Sequence, residues 1–356
     1  MSQLAKYLIV TVIKGVALTL LVIVLIAGFI ELVRQLADVG TADYGLQQAV
    51  SYVLLRIPRV VFEVLPAAAL IGGLIGLGNL AVHRELVVMR ASGVSHFRML
   101  GALAIAGLAL AVVMVLLGES LAPSLGAYAR ELRTAALHDD VNMRDGQSTW
   151  LKDGDRIINV RRPDEGFGFA GGVLLFELDG AQQLAKVARA DTADVSPANE
   201  WVLANYAETA FTEDGVEAQR LEEVRQTYGL SPDLLGLSVV REDLLDTPTL
   251  ERYIRYLQSN DLDARRYLIA YWSRWANIAS AFFMTILALP FVFGGLRSAG
   301  TGARLLVGLV VGLGYYVIIQ VATESGQVFD VHPIVVAWAP TGALVAVTAV
   351  ALLRVR

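Results

Sequence analysis

The sequence has no cysteine, and among its 356 residues there are only four lysines and four histidines. Without cysteine there is no disulfide, no thiolate metal site and no cysteine nucleophile. The four lysines are followed by Tyr7, Gly15, Asp153 and Val187, never by Ser or Thr, so no Walker A phosphate loop exists. His83, His96, His138 and His332 are scattered, and no HExxH pair occurs. "HDD" (138–140) carries metal-ligand atoms but reads as a solvated turn. "GES" (118–120) and "ASGVS" (91–95) have no base nearby in sequence, and their small residues suit close packing. Charge is scarce as well: 18% of residues are charged and 55% hydrophobic, with a mean hydropathy of +0.56. A soluble domain carries about 25% charged and 45–50% apolar residues, so the composition is that of a membrane protein. A pI near 5.5 without a basic tail argues against a nucleic-acid partner. The residues offer no catalytic constellation, no metal set and no cofactor site of their own.

What is there is long apolar runs. A bilayer core of about 30 Å takes roughly 20 apolar residues as a helix. Six segments meet that length: Tyr7–Val33, Val60–Leu80, Met99–Leu121, Tyr267–Phe293, Leu305–Thr323 and Pro333–Leu353. The first is too long for a signal peptide and has no small-residue cleavage site after it, so it reads as a retained span. The sequence thus divides into spans 1–3 (1–121), an insertion (122–266) and spans 4–6 (267–356).

Lysine and arginine in short loops set the orientation. Lys6 and Lys14 flank the N-terminus, and Arg84, Arg90 and Arg98 fill the loop between spans 2 and 3. Arg297 and Arg304 fill that between spans 4 and 5, and Arg354 and Arg356 close the chain. Six spans put all four places on one side, which predicts cytoplasmic termini and an external insertion. That insertion is acidic: residues 119–266 hold 27 of the 34 acids but 16 of the 29 bases. Tyr267, Tyr271, Trp272 and Trp275 form an interfacial belt at the outer end of span 4, from which Arg274 is expected to snorkel outward.

Within the insertion, "DRIINVRR" (155–162), "GGVLLFELDG" (171–180), "AKVARADTADVS" (185–196) and "EWVLANYAETAF" (200–211) are strand-like runs between turn residues. They predict an antiparallel sheet or sandwich. "TPTLERYIRYLQSNDLDARRY" (247–267) predicts a helix with Thr247 as its cap and Pro248 in its first turn. The fold class is therefore an α-helical membrane protein with six transmembrane helices and an inserted all-β domain.

Three features point to function. Arg34, Arg56, Arg59, Arg130 and Arg133 lie at outer ends of spans, where arginine matches an anionic headgroup bidentately. Taken singly, each reads more simply as snorkelling or as pairing with Glu31, Asp38 or Glu63. Gly72 and Gly76 in span 2, and Gly308 and Gly312 in span 5, are small-xxx-small pairs that let helices approach, either within the chain or against a partner. Finally, "AVHRELVVMRASGVSHFRML" (81–100) joins two spans yet favours helix as far as Ser92, with Gly93 as a left-handed stop. Leu86, Val87, Met89 and Arg90 give it a mixed surface on which Glu85 is the acid. It reads as an interfacial helix, or as a knob that docks on a cytoplasmic protein.

Four stretches carry a family resemblance: "IPRVVFEVLPAAALIGGLIGLGNLA" (57–81), "RELVVMRASGVS" (84–95), "GESLAPSLGAYARELR" (118–133) and "ALPFVFGGLRSAGTGAR" (288–304). They resemble the LptF/LptG permeases of the lipopolysaccharide exporter, the LptG branch more than the LptF branch, over nearly all the chain. The resemblance implies an ABC-type exporter in the bacterial inner membrane, with this chain paired to an LptF-like permease on an LptB-like ATPase dimer that uses ATP-Mg. It implies a coupling helix at about 82–95, with Glu85, Arg84, Met89 and Arg90 facing the ATPase. The insertion becomes a periplasmic, jellyroll-like domain that passes lipopolysaccharide to LptC-like and LptA-like proteins. Arg59 and Arg133, with Arg34 and Arg130 beside them, become substrate contacts. Gly308 and Gly312 fall on a gate helix. The end of span 1 departs from the family, which is rich in lysine there: "FIELVRQLADVG" (29–40) has Glu31, Ala37 and Asp38, and Arg34 as its basic residue. The alternative from another class is a membrane-anchored scaffold whose outer domain binds envelope partners.

Overall fold

The computed structural model describes residues 3–137, 148–161, 169–181, 183–195, 200–212, 215–228, 242, 245–293, 300–329 and 331–354. "HDD" (138–140), Arg297 and Arg356 lie outside the described residues. The chain forms two compact units, one of residues 1–137 with 265–356 and one of residues 138–264.

The first unit is helical. In chain order it comprises α1 (Gln3–Leu36), α2 (Leu46–Val82), α3 (Glu85–Ala91), α4 (His96–Leu116), a π-helical turn (Leu117–Leu121) and α5 (Ala122–Leu137). After the insertion come α7 (Arg265–Phe293), α8 (Thr301–Val328) and α9 (Pro333–Arg354); α6 belongs to the second unit. Six helices are long and apolar enough to cross a bilayer: α1, α2, the run from α4 through α5, α7, α8 and α9. The third of these does not stop at Leu121 as the sequence suggested. Its helix passes through the π turn and on to Leu137, so the expected boundary at 121/122 falls inside a helix.

At the centre is α2, which packs against α1, α5, α7 and α8. Lipid tails are as apolar as leucine, so helices in a bilayer associate through close packing rather than through hydrophobic burial. Glycine provides that closeness here. A Cβ on Gly72 would lie 2.4 Å from Val16 Cα, and one on Gly15 would lie 2.3 Å from the Gly72 carbonyl oxygen. The backbones of α1 and α2 therefore touch. Gly76 extends the seam, its absent Cβ falling 2.9 Å from the Thr11 carbonyl oxygen. Leu65, Leu70, Leu74 and Leu77 of α2, Met99 and Leu103 of α4, and Met284 and Leu287 of α7 fill the surrounding core.

Three polar groups inside the bundle find partners on other helices, and an unpaired one in hydrocarbon costs several kcal/mol. Pro66, inside α2, has no N–H for the carbonyl four residues back, at Phe62. Asn277 Nδ2 of α7 donates to that carbonyl at 3.0 Å. Arg274 does not snorkel outward. It is 8% exposed, and its Nη1 lies 3.5 Å from Oε1 of Glu119, which the π turn carries. Burial without such a partner would cost several kcal/mol, which is why the guanidinium turns inward to the carboxylate. At mid-bundle, the hydroxyls of Tyr315 (α8) and Thr341 (α9) bond at 2.9 Å.

The second unit holds six described strands: β1 (Ser148–Asp153), β2 (Arg156–Arg161), β3 (Phe169–Leu178), β4 (Leu184–Val195), β5 (Glu200–Thr212) and β6 (Gly215–Thr227). They form one antiparallel sheet in sequential order. This is the inserted all-β domain that the sequence predicts. Leu151, Ile158, Val160, Val173, Leu175, Trp201 and Leu203 are buried in it. The strands read from the sequence correspond to β2–β5. β1 has only the adjacent Trp150 and Leu151 as apolar residues, and β6 is largely exposed and rich in glutamate, so neither carries an apolar alternation. Helix α6 (Thr247–Ser259) is capped by Asp246, whose side chain accepts from Thr249 N, rather than by Thr247. Tyr256 of α6 bonds both the N–H and the carbonyl of Lys152 in β1 at 3.0 Å.

Gly72→Val should lower stability by about 3 kcal/mol, the upper range for overpacking, because the clash is with backbone. Thermal unfolding in detergent measures this, and an unchanged midpoint would contradict backbone contact between α1 and α2. Asn277→Leu should cost about 1–3 kcal/mol by stripping the Phe62 carbonyl of its donor. In a Pro66→Ala background, where a backbone N–H is restored to that carbonyl, the same substitution should cost clearly less. Equal costs in both backgrounds would rule out the pairing.

Candidate functional site

Two polar clusters sit at opposite ends of the helical unit, and a pair of apolar helix faces runs between those ends. The first cluster is built on α3. Helix α2 ends at Val82, and Arg84 adopts a left-handed backbone with φ of +61°. That kink, absent from the continuous helix expected from Ala81 to Ser92, turns the chain into α3. The far end closes as foreseen on Gly93, at φ +86°. There Val94 N bonds the Met89 carbonyl and Gly93 N bonds that of Arg90, the pair of bonds that defines a Schellman stop.

Residues three apart share one side of α3, so Leu86 and Met89 both turn inward and are buried in the helical core. This corrects the expectation for Met89: it seats the helix and is not on its outward face. Val87 and Val88 are the outward residues, 48% and 65% exposed, and Phe97 in the first turn of α4 is 85% exposed. Arg84 is exposed and Glu85 half-buried. Glu85 Oε2 accepts a 2.9 Å hydrogen bond from the Tyr7 hydroxyl of α1. The Arg90 guanidinium lies 5.8 Å from the centre of the Phe293 ring at the end of α7, and the His96 ring meets Phe293 edge-on. Between α3 and α7 lies a cleft of about 360 Å³ lined by Ala81, Leu86, Val87, Arg90, Ala91, Val292 and Phe293.

The second cluster, at the far end, is built on arginines held by acids. Glu31 of α1 accepts from Arg56 Nη1 of α2 at 2.9 Å and lies 3.7 Å from Arg34. Asp38 accepts from Arg133 Nη2 of α5 at 2.6 Å. The guanidiniums of Arg56 and Arg133 both lie 5.6 Å from the centre of the Tyr52 ring. Buried Tyr44 donates to Gln35, which in turn donates to Glu31. Burial pushes the Tyr44 hydroxyl above its ordinary pKa, and the nearby Arg133 charge partly offsets this. Of the expected contact residues, the fold gathers Arg34 and Arg133 here and adds Arg56 between them. Arg130, half-buried, lies on α5 one turn before Arg133. Arg59 pairs within α2 with Glu63, four residues on, at 2.6 Å. The carboxylates do not exhaust the arginines: Arg133 Nε is buried with no hydrogen-bond partner among the described residues. A phosphate or carboxylate entering here would compete with Glu31 and Asp38 for the remaining N–H groups.

The third feature is apolar. In its most apolar stretch α1 buries 11% of residues and α8 17%, against 67% in α2 and in α7. Leu18, Leu25, Ile26 and Phe29 of α1, with Leu306, Val310, Leu313 and Val321 of α8, point away from the unit. Gly308 and Gly312 lie on the inner side of α8: an added Cβ would fall 3.1 Å from Ile71 Cγ1 and 3.0 Å from Ala67 Cβ of α2. They pack within the chain. Sequence reading had Arg56 pairing with an acid such as Glu31, but missed Gly15 as a partner of Gly72, and Val88 and Phe97 as exposed residues. Of these, only the last two left a signal, as apolar residues flanking a basic loop.

Comparison with known proteins agrees with this architecture. The family described as lipopolysaccharide export system permease LptF/LptG matches residues 6–354. The chain is 31% identical to lipopolysaccharide export system permease protein LptG of Escherichia coli (strain K12), over 99% of this chain and 98% of that protein. It is 30% identical to the protein of the same name from Haemophilus influenzae, over 96% of this chain and 95% of that one. With six membrane-length helices, an antiparallel β domain inserted between the third and the fourth, and a family match over almost its whole length, the chain belongs to the LptF/LptG family of lipopolysaccharide export permeases.

Proposed function

We propose that the chain is the transmembrane subunit of an ABC-type exporter, lifting lipopolysaccharide from the inner membrane with energy from a separate, LptB-like ATPase. The observation that carries this reading is the outward face of α3. Val87, Val88 and Phe97 expose apolar surface beside Arg84, Glu85 and Arg90 at the basic, cytoplasmic end of the spans. An exposed apolar patch rimmed by charge is the mark of a protein interface. A chain with no nucleotide-binding loop needs such a surface to receive work from ATP hydrolysis.

The rest follows from orientation and exposure. Both termini are cytoplasmic, and the β domain is periplasmic, where it hands the lipid to LptC-like and LptA-like proteins. The poorly buried faces of α1 and α8 meet an LptF-like permease and the acyl chains of the substrate. The arginine cluster around Tyr52 receives the anionic headgroup, with Arg133 as its best-placed donor.

Glu85→Ala should weaken co-purification with the ATPase by about 2–5 kcal/mol, the usual cost of leaving one charge of a desolvated pair without its mate. Tyr7→Phe, which removes only the internal bond to Glu85, should leave docking intact. Normal ATPase recovery and export in Glu85→Ala would remove Glu85 from the interface. Arg133→Glu should reduce photo-crosslinking of lipopolysaccharide and its stimulation of ATP hydrolysis. Asp38→Asn should raise crosslinking, since it frees Arg133 from its internal acid. If neither substitution changes either signal, the cluster is structural and the headgroup binds elsewhere.

A further inference from the structure

Arg304 is the most deeply buried charged residue among those described, at 1% exposed, and it lies one turn inside α8. Its Nη1 donates to the Gly78 carbonyl of α2 at 2.8 Å. Gly78 makes the seat, because a Cβ there would lie 2.7 Å from both Cδ and Nη1 of Arg304. Any larger residue at 78 would push the guanidinium out. Arg304, Gly308 and Gly312 are spaced four apart and so line one face of α8. All three meet α2, at Gly78, at Ile71 with Leu74, and at Ala67. Beyond Gly78, α2 runs one more turn to Val82, and only His83 and Arg84 separate it from α3.

We infer that Arg304 is a positioning residue that clamps the cytoplasmic end of α8 to α2, so that displacement of α3 moves α2 and α8 as one rigid body. This rests on the transport reading above and adds the route by which docking reaches a membrane helix. The α2–α8 seam is then a fixed contact, and motion occurs at the outward, apolar face of α8. A guanidinium suits the seat because its hydrogen bond is directional and its charge discourages sliding along an apolar groove. Sliding by one turn would strip the guanidinium of the Gly78 carbonyl and drive it against leucine.

The absence of cysteine gives a clean background for the test. In the full complex with its ATPase and partner permease, reconstituted in proteoliposomes, ATP hydrolysis and ATP-driven lipopolysaccharide release are measured side by side. The pair Ile71→Cys with Gly308→Cys faces across the seam, where a Cβ at 308 would lie 3.3 Å from the Cα of residue 71. Oxidised, this pair should release lipopolysaccharide at the rate of the reduced pair. Loss of release on oxidation, restored by reductant, would mean that α8 slides on α2 and would overturn the clamp. Arg304→Gln and Gly78→Ala should each lower release about tenfold with hydrolysis largely kept, the size of a typical coupling free energy. Arg304→Lys, which keeps one charged donor, should recover part of it. Unchanged release in Arg304→Gln and Gly78→Ala would overturn the role of Arg304. If the unmodified complex hydrolyses ATP and releases nothing, the transport reading itself fails, and the clamp falls with it.

Discussion

Direct contact between the backbones of α1 and α2 is the constraint on which the rest of the helical unit depends. Where Gly15 meets Gly72, no atom beyond the main chain separates the two helices. In a bilayer such closeness is the main source of helix association, because moving leucine from lipid to protein gains little. With α1 fixed on one side, the other faces of α2 are left for α5, α7 and α8. The same glycine run that fixes α1 continues to Gly78, which seats Arg304.

Polar groups complete what packing begins. The main-chain vacancy created by Pro66 is filled by Asn277, the charge of Arg274 is met by Glu119 on a π turn, and Tyr315 ties α8 to α9. The first two join helices far apart in sequence and the third joins consecutive ones, and each would be costly if half removed. Inside a membrane these bonds fix which helix lies beside which, and at what height, more sharply than apolar contact can. π turns recur at functional positions, and here the turn aims an acid at a buried arginine.

At the far end, three arginines share two acids. Arg34, Arg56 and Arg133 are held by Glu31 and Asp38, and Tyr52 lies between two of the guanidiniums. These pairs are partly solvated, so each contributes little to stability, about 1 kcal/mol or less. Weak internal pairing is what the headgroup exchange proposed above requires, a ligand's carboxylate or phosphate replacing the internal one. Glu31 and Asp38, at and just beyond the end of α1, are thus the internal counter-ions of arginines on α2 and α5.

Composition and local pattern alone determined the six spans, the inserted β domain, the four strands β2–β5, the stop at Gly93 and the gathering of basic residues at one end. These properties are set within a window of a few residues, by apolar run length, alternation and a single backbone conformation. Only the tertiary structure decided which face each residue presents. Met89 turned inward, Gly308 and Gly312 turned to α2, and Arg274 and Arg304, read as interfacial or loop charges, became buried ties. β6 stayed hidden because a strand exposed on both faces has no apolar alternation to reveal it. The deciding partners lie far off in sequence, 226 residues for Arg304 with Gly78 and 215 for Asn277 with Phe62. Helical periodicity groups residues into faces, but only the folded neighbours determine which face meets protein and which meets lipid.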